Sequence, residues 1–299
     1  MSSVDIAVRA MKSQTPSATQ ALLSIESELM RFEYVPLDII TSALKMSSAK
    51  VRHLLDLLVE DELLRASGSP YRGYTLTYAG ADLLALKTLV ENNILSAMGK
   101  PIGVGKESEV YDALLEDEDV VAVKFHRIGR ISFRQTRRLR TYATGKRVGW
   151  IVQAKRAAVR EFEALTKLHG SHVSVPKPIY RTRHVVVMSA LDGSPLIEYP
   201  NAISRELVEE LFSNIRGMYG AGVVHADLSE YNILVSGEGH VTLFDFPQWV
   251  PPSHSSAEKF LSSDITNLLI FLSKRNVPHP TFQSILSYVM GEKESMEWA

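Results

Sequence analysis

Apolar residues recur at helical spacing through roughly the first ninety positions and give way to strand-like runs beyond them. The spacing predicts a helix near 18–32 and a short one starting at Pro36, where proline suits a first helical turn. A third helix is expected over about 48–61, with Val51, Leu54, Leu55, Leu58 and Val59 on one face. Residues 63–66, a turn at Ser67-Gly68-Ser69-Pro70 and residues 73–76 then predict a two-strand wing, and a closing helix starts near Thr77. Helix–helix–helix–wing is the winged form of helix-turn-helix, a nucleic-acid-binding layout. Lys50, Arg52 and His53 stand near the start of the third helix, where base or phosphate contacts originate. Asp56, Glu60, Asp61 and Glu62 dilute that charge, so protein docking is the competing use.

After a connector at 91–100 the pattern predicts strands at 98–102, 110–114 and 120–126, the first two joined by a tight loop at 103–108. A helix runs through Ala158, Glu161, Leu165 and Leu168, followed by a strand at 184–188 and a connector at 191–195. Ser204 is placed to cap a helix carrying Leu207, Val208, Leu211, Ile215 and Met218, which ends at Gly220 or Gly222. Short apolar runs at 232–235 and 241–244 flank Gly237 and Gly239 as a hairpin. Helices at about 263–274 and 281–290 close the pattern.

Composition changes this picture in two places. The 299 residues include no cysteine, which excludes disulfides, thiolate metal sites and cysteine nucleophiles. The net charge of −1 hides an asymmetry: eleven Lys/Arg and no acid lie between Arg127 and Arg160. With 45% apolar residues and no apolar run of membrane length, the expectation is a soluble, cytoplasmic protein without membrane contact.

The candidate chemistry lies around the hairpin. His225-Ala226-Asp227 is followed five residues after the acid by Asn232 and eighteen after it by Asp245. Phosphoryl transfer needs a carboxylate near the attacking group, an amide oxygen on a metal ion and a second carboxylate on metal. The spacing is that of a kinase catalytic loop and metal hairpin; a surface hairpin with scattered acids is the competing reading. Upstream, Gly103 and Gly105 form a turn whose amides can approach phosphates, with Lys106 and Ser108 adding a charge and a hydroxyl. About twenty residues on, Val121-Ala122-Val123-Lys124 resembles the kinase strand whose lysine contacts phosphates and pairs with a helix glutamate. Glu161 is the expected partner, one turn before Leu165, with Glu163 as competitor. Met188 is the expected gatekeeper, and backbone groups of Ser189 and Leu191 are expected to meet adenine.

Three departures from ordinary protein kinases stand out. Ala226 replaces the arginine that receives an activation-loop phosphate, and Pro247 stands where Asp-Phe-Gly has its glycine, which restricts a flip at Asp245. Only 54 residues follow Asp245, too few for an activation segment and peptide-docking helices. Gly103-Val-Gly-Lys-Glu-Ser-Glu-Val-Tyr, Val121-Ala-Val-Lys-Phe-His-Arg, His225-Ala-Asp-Leu-Ser-Glu-Tyr-Asn and Asp245-Phe-Pro-Gln resemble the RIO atypical kinases. The winged helix and Gly129-Arg-Ile-Ser-Phe-Arg point to the second RIO subgroup, and the size looks archaeal.

That resemblance covers essentially the whole chain. It implies an α+β fold with a winged helix at 1–90 and a trimmed bilobal kinase domain behind it. The N-lobe is expected at 91–188, with a basic loop at 127–149, and the C-lobe at 189–299. It implies ATP with Mg2+ or Mn2+, a role in maturing the small ribosomal subunit, serine phosphorylation, and an ATPase cycle through a phospho-aspartate at Asp245. In it Lys106 and Ser108 touch phosphates, Lys124 pairs with Glu161, Asp227 is catalytic, and Asn232 and Asp245 hold metal. The basic stretch then becomes a candidate rRNA grip through Arg134, Arg137, Arg138 and Arg140, with Phe133, Tyr142 and Trp150 as stacking groups. Ser132, Thr136, Thr141 and Thr144 are candidate autophosphorylation acceptors. The alternatives are an aminoglycoside-type small-molecule phosphotransferase and a winged-helix nucleic-acid-binding regulator.

Overall fold

A helix that the apolar pattern does not anticipate opens the chain: α1 (Ser3–Met11). In this computed structural model, which describes residues 1–128 and 149–298, its start is fixed by a reciprocal cap. Ser2 N–H donates to the Asp5 carboxylate at 2.8 Å and Asp5 N–H to the Ser2 hydroxyl at 3.1 Å. These bonds hold the Asp5 pKa below the usual carboxylate value. Helix α2 (Pro16–Glu28), capped by Thr15, is shorter than expected. Residues 35–36 form a two-residue strand, β1 (Val35–Pro36), which leads into α3 (Leu37–Leu44). Pro36 therefore precedes its helix rather than lying within it. After α4 (Ser48–Glu60) come β2 (Leu64–Ser67) and β3 (Gly73–Leu76), and the wing has three strands in the order β1-β3-β2. Val35, fully buried opposite Tyr74, explains the extra strand.

Helix α5 (Tyr78–Glu91), capped by Thr77, is apolar on nearly every side and buries Asp82 along with its leucines. Five strands follow in one sheet: β4 (Ala97–Val104), β5 (Ser108–Leu114), β6 (Val120–His126), β7 (Pro178–Thr182) and β8 (Val185–Ser189). Their order is β4-β5-β6-β8-β7. Strand β7 escapes sequence reading because Pro176 and Pro178 make its surroundings look like a loop. Helix α6 (Trp150–Leu168) begins earlier than its apolar core suggests.

The chain divides into two compact units, one of residues 1–119, 124–156 and 182–185, the other of 120–123, 157–181 and 186–299. The first is built around a buried charge cluster. Arg127 has no exposed side-chain surface and donates to Asp82 at 2.7 and 2.8 Å and to Glu109 at 3.1 and 3.2 Å. Ser3 accepts a further bond at 3.1 Å, and His184 Nε2 lies 2.8 Å from Asp82. Burial alone would raise the Asp82 pKa, but the Arg127 charge and the His184 and Arg127 bonds outweigh it and hold it low. Burial pushes His184 down, so its imidazole is neutral and Nε2 donates to Asp82. Arg127 is accordingly not part of the solvated basic stretch, contrary to the sequence-based expectation. Lys155 is also engaged, 2.9 Å from Glu26, and Trp150 packs on Tyr78 with ring centroids 4.0 Å apart.

The second unit holds β9 (Ser194–Pro195), α7 (Arg205–Gly220), β10 (Ile233–Val235), β11 (Val241–Leu243), α8 (Ala257–Lys274) and α9 (Phe282–Val289). Its small sheet runs β11-β10-β9, and α9 packs on both α7 and α8. Gly193 has φ +134°, and a Cβ there would strike the Val235 carbonyl, so the approach of β9 to β10 requires glycine. Among the described residues no helix is long and apolar enough to cross a membrane.

Candidate active site

The residues expected on the nucleotide side lie on the β4–β5 turn and β6. Gly105 N–H donates to the Ser108 carbonyl at 2.8 Å, which closes the turn, and Glu107 C=O accepts from Arg127 N–H at 2.6 Å. The turn is thereby fastened to the residue that follows β6. A Cβ at Gly103 or Gly105 would meet only ordinary contacts, so the protein's own packing does not demand glycine there. Lys106 is exposed, Ser108 half-buried, and Lys124 buried at 5% exposure near the end of β6. On α6, Glu161 is buried at 1% exposure while Glu163 faces solvent. Met188 is buried at the end of β8. Ser189 N–H donates to the Lys177 carbonyl at 2.9 Å and its hydroxyl accepts from Lys177 N–H at 3.0 Å. Its amide is thus committed to the pairing with Lys177. Leu191 is half-buried just beyond.

The second unit brings Asp227, Asn232 and Asp245 onto one loop and hairpin. β10 pairs with β11 through Ile233–Leu243 and Val235–Val241, which sets Asn232 and Phe244 side by side. Phe244 N–H donates to the Asn232 carbonyl at 3.1 Å, and Asn232 Nδ2 donates to the Asp227 carbonyl at 3.4 Å. Asp227 is exposed, while Asn232 and Asp245 are half-buried. His225 is buried, with Nε2 donating to the Phe244 carbonyl at 3.1 Å and its ring centroid 4.7 Å from that of Phe246. Ala226 and Asp245 both have left-handed backbones, with φ 66° and 70°. Such conformations cost about 1–3 kcal/mol each in residues with a Cβ and persist only where surroundings impose them.

The residue that imposes the first of them is one that sequence reasoning missed. Asp264 on α8 is buried at 1% exposure and accepts from Ala226 N–H and Leu228 N–H, both at 2.9 Å. Asn267 Nδ2, one turn on, donates to the Leu228 carbonyl at 3.1 Å. Both backbone neighbours of Asp227 are thus anchored. Burial pushes the Asp264 pKa up to about 7, against the pull of the Leu228 and Ala226 amides and with a smaller push from the Asp227 charge. The available signal was an acid on an apolar helical face, between Leu261, Ile265 and Leu268.

Asn232 and Asp245 offer hard oxygen donors, the ligand chemistry of magnesium or manganese. Among the described residues no group of three or more His, Cys, Asp or Glu is gathered to hold a metal. Magnesium takes one or two protein ligands and completes its shell with water and substrate phosphates. Lys50 and Arg52 are exposed near the start of α4. Arg134, Arg137, Arg138 and Arg140 lie outside the described residues, as do Phe133, Tyr142, Ser132, Thr136, Thr141 and Thr144. Trp150 is packed on Tyr78 rather than presented for base stacking.

The model of the RIO domain family matches residues 109–285, and that of the Rio2 N-terminal domain matches residues 11–92. A RIO-type serine/threonine-protein kinase Rio2 from Methanocaldococcus jannaschii is 36% identical over 252 residues, covering 82% of this chain and 92% of the relative. Serine/threonine-protein kinase rio2 from Dictyostelium discoideum is 34% identical over 262 residues, 86% of this chain, which spans about half (49%) of that longer relative. The crystal structure of a Rio2 kinase–ADP/Mg2+–phosphoaspartate complex from Chaetomium thermophilum superposes with a TM-score of 0.78 at 28% identity, covering 96% of this chain and 93% of the other. A winged helix-turn-helix followed by a trimmed kinase-like domain is therefore the fold, and the chain belongs to the RIO family of serine/threonine-protein kinases, in its Rio2 group.

Proposed function

We propose that this chain is an ATP- and Mg2+-dependent phosphotransferase that moves the γ-phosphoryl group to Asp245 and hydrolyses it there, with transfer to serine or threonine as its kinase output. The observation that carries the reading is the gathering of Asp227, Asn232 and Asp245 on one loop and hairpin, in a strained and anchored backbone. The phosphoaspartate in the Chaetomium thermophilum Rio2 complex supports the aspartyl step.

In this reading the amides around Gly103 and Gly105, with Lys106 and Ser108, cradle the phosphates, and the open Cβ positions leave room for them. Lys124 neutralises phosphate charge, with Glu161 as the partner that the family resemblance implies. Met188, the Ser189 carbonyl and Leu191 bound the base. A metal ion held by Asn232 and Asp245 supplies charge neutralisation at the β- and γ-phosphates. An Asp245 carboxylate oxygen attacks the γ-phosphorus, the bond from phosphorus to the ADP oxygen breaks, and ADP leaves with that electron pair. Asp227 then takes a proton from the water, or from a substrate hydroxyl, that attacks the phosphorus, while the bond from phosphorus to the Asp245 oxygen breaks and its electron pair returns to the carboxylate.

The test is to trap the protein after brief incubation with γ-labelled ATP, beside Asp245→Asn. A hydroxylamine-labile label, absent from the variant, is the expected result. An acid-stable label alone would remove the aspartyl step and leave hydroxyl transfer, including self-transfer to Ser132, Thr136, Thr141 or Thr144.

The partner in this reading is the cytoplasmic pre-ribosomal small subunit and its rRNA. The support is the single-sign charge of 127–160 and exposed Lys50 and Arg52 on the winged helix. The engagement of Arg127 and Lys155 in ion pairs concentrates the argument on Arg134, Arg137, Arg138 and Arg140. Neutralising Arg137, Arg138 and Arg140 together should lower the slope of log affinity for RNA against log salt by about 2, at roughly 0.7 per phosphate contact on a single strand. An unchanged slope would return the stretch to a solvated face.

A further inference from the structure

The residue just before Glu161 is tied to the segment just after Asp245, in both directions. From α6, Arg160 Nε donates to the Pro247 carbonyl at 3.1 Å and its Nη2 donates to the Trp249 carbonyl. In return the Trp249 indole N–H donates to the Arg160 carbonyl at 2.8 Å. The guanidinium carbon lies 5.5 Å from the Trp249 ring centroid, and Lys167 Nζ lies 5.2 Å from it. Trp249 is only 7% exposed, so these bonds form largely out of water. The segment's far end is fixed too: Val224 and Val250 exchange both backbone bonds at 2.9 Å, one residue before His225.

We propose that Arg160 and Trp249 are positioning residues for phosphoryl transfer, forming a reciprocal clamp that holds the Asp245 segment against the helix carrying Glu161. This rests on the role proposed above for Asp245.

Two carbonyls two residues apart converge on one planar guanidinium, which dictates the orientation of the peptide planes from 247 to 249. Swinging the Asp245 side chain away by rotating its backbone would break all three bonds together. Aspartate adopts a left-handed φ more readily than most residues, yet the conformation still costs energy, and contacts from outside the segment help to hold it. Pro247 limits motion from within the segment, and Arg160 limits it from outside. An arginine and a tryptophan with their side chains turned to solvent would leave α6 equally helical, so the clamp is not required for the helix to form.

The test uses the full chain in a background where Trp150 and Trp298 are phenylalanine, leaving Trp249 as the sole emitter. Arg160→Lys keeps the charge and most of the stem but replaces the planar fork, which fixes both carbonyls in one orientation, with a compact, rotatable ammonium. It should lower kcat for ADP formation about tenfold or more while KM for ATP changes less than about threefold, and it should shift Trp249 emission to the red. Trp249→Phe keeps the ring and loses the indole N–H, and should give the same kcat-weighted loss to a smaller degree.

Unchanged kcat in both variants overturns the proposal. So does a proportional fall in kcat, KM-defined affinity and thermal midpoint, which marks a purely structural contact. Asp245→Asn is run alongside. Should it keep full turnover, the role of Asp245 is wrong, and an unshifted Trp249 emission in Arg160→Lys would then overturn the clamp on its own.

Discussion

Replacing Asp227 with alanine should reduce phosphoryl transfer about 10²–10⁴-fold while nucleotide binding stays nearly intact. The structure makes this substitution unusually clean. Asp227 is exposed, so its removal opens no cavity, and the neighbouring amides remain bonded to Asp264. Asn232 also holds the Asp227 carbonyl, which the substitution keeps. The loop should therefore keep its shape and lose only the carboxylate that accepts a proton. Initial rates of ADP formation, beside a titration with a fluorescent nucleotide, measure the two halves of the expectation. Full retained turnover would sink the assignment of Asp227.

The second large effect belongs to Asp264, where stability and activity pull apart. Its folded pKa is raised from 3.8 to about 7, so the folded protein binds a proton more tightly than the unfolded chain. The sign follows from linkage. The proton's contribution to stability is fully present below the ordinary carboxylate pKa and is lost as pH rises through about 7. At about 1.4 kcal/mol per unit, carrying the charge above pH 7 costs about 4 kcal/mol. That charge is also the acceptor for two amides beside Asp227.

Asp264→Asn removes the ionisation but leaves a single carbonyl oxygen, with an NH2 group facing the other amide. Urea unfolding at pH 5 and pH 8 should show that the loss of stability on raising the pH is much smaller in the variant than in the parent. At the same time kcat should fall about 10–100-fold, the equivalent of losing one charge-assisted bond worth about 1.5–3 kcal/mol. Parallel pH dependences in the two proteins would show that Asp264 does not titrate in this range.

The expectations that succeeded and failed divide on physical lines. Strand β6 and the β10–β11 hairpin were legible because β-branched runs and glycine turns are local signals. The RIO motifs were legible because phosphate chemistry demands particular groups at particular spacings. Helix α1 was not, although Ser2 and Asp5 spell a capping box three residues apart, because its nine residues bury only Val4, Ile6, Ala7 and Ala10, a short apolar pattern. The wing's third strand has two residues, too few for any periodicity. Arg127 was counted with the basic stretch because a run of charge along the chain cannot reveal Asp82, forty-five residues earlier. Asp264 stayed hidden for a related reason: its partners are backbone amides, which leave no trace in a side-chain motif. Arg160 was likewise read as surface charge, while its targets are two carbonyls on a distant segment.

The cluster around Arg127 bears on how such a protein can be inherited. Asp82 lies in the stretch matched by the Rio2 N-terminal family and Arg127 in the stretch matched by the RIO domain, yet each neutralises the other where no water reaches. A recombination event that carried the first stretch into a new host without the second would take Asp82 away from both Arg127 and His184, and a buried ion stripped of its partner costs about 3–5 kcal/mol, a large share of a domain's whole stability; Arg127 would keep Glu109. Gene fusion and exchange at the intervening connector are thereby penalised. Two segments that look separable in sequence are joined by one buried ion pair.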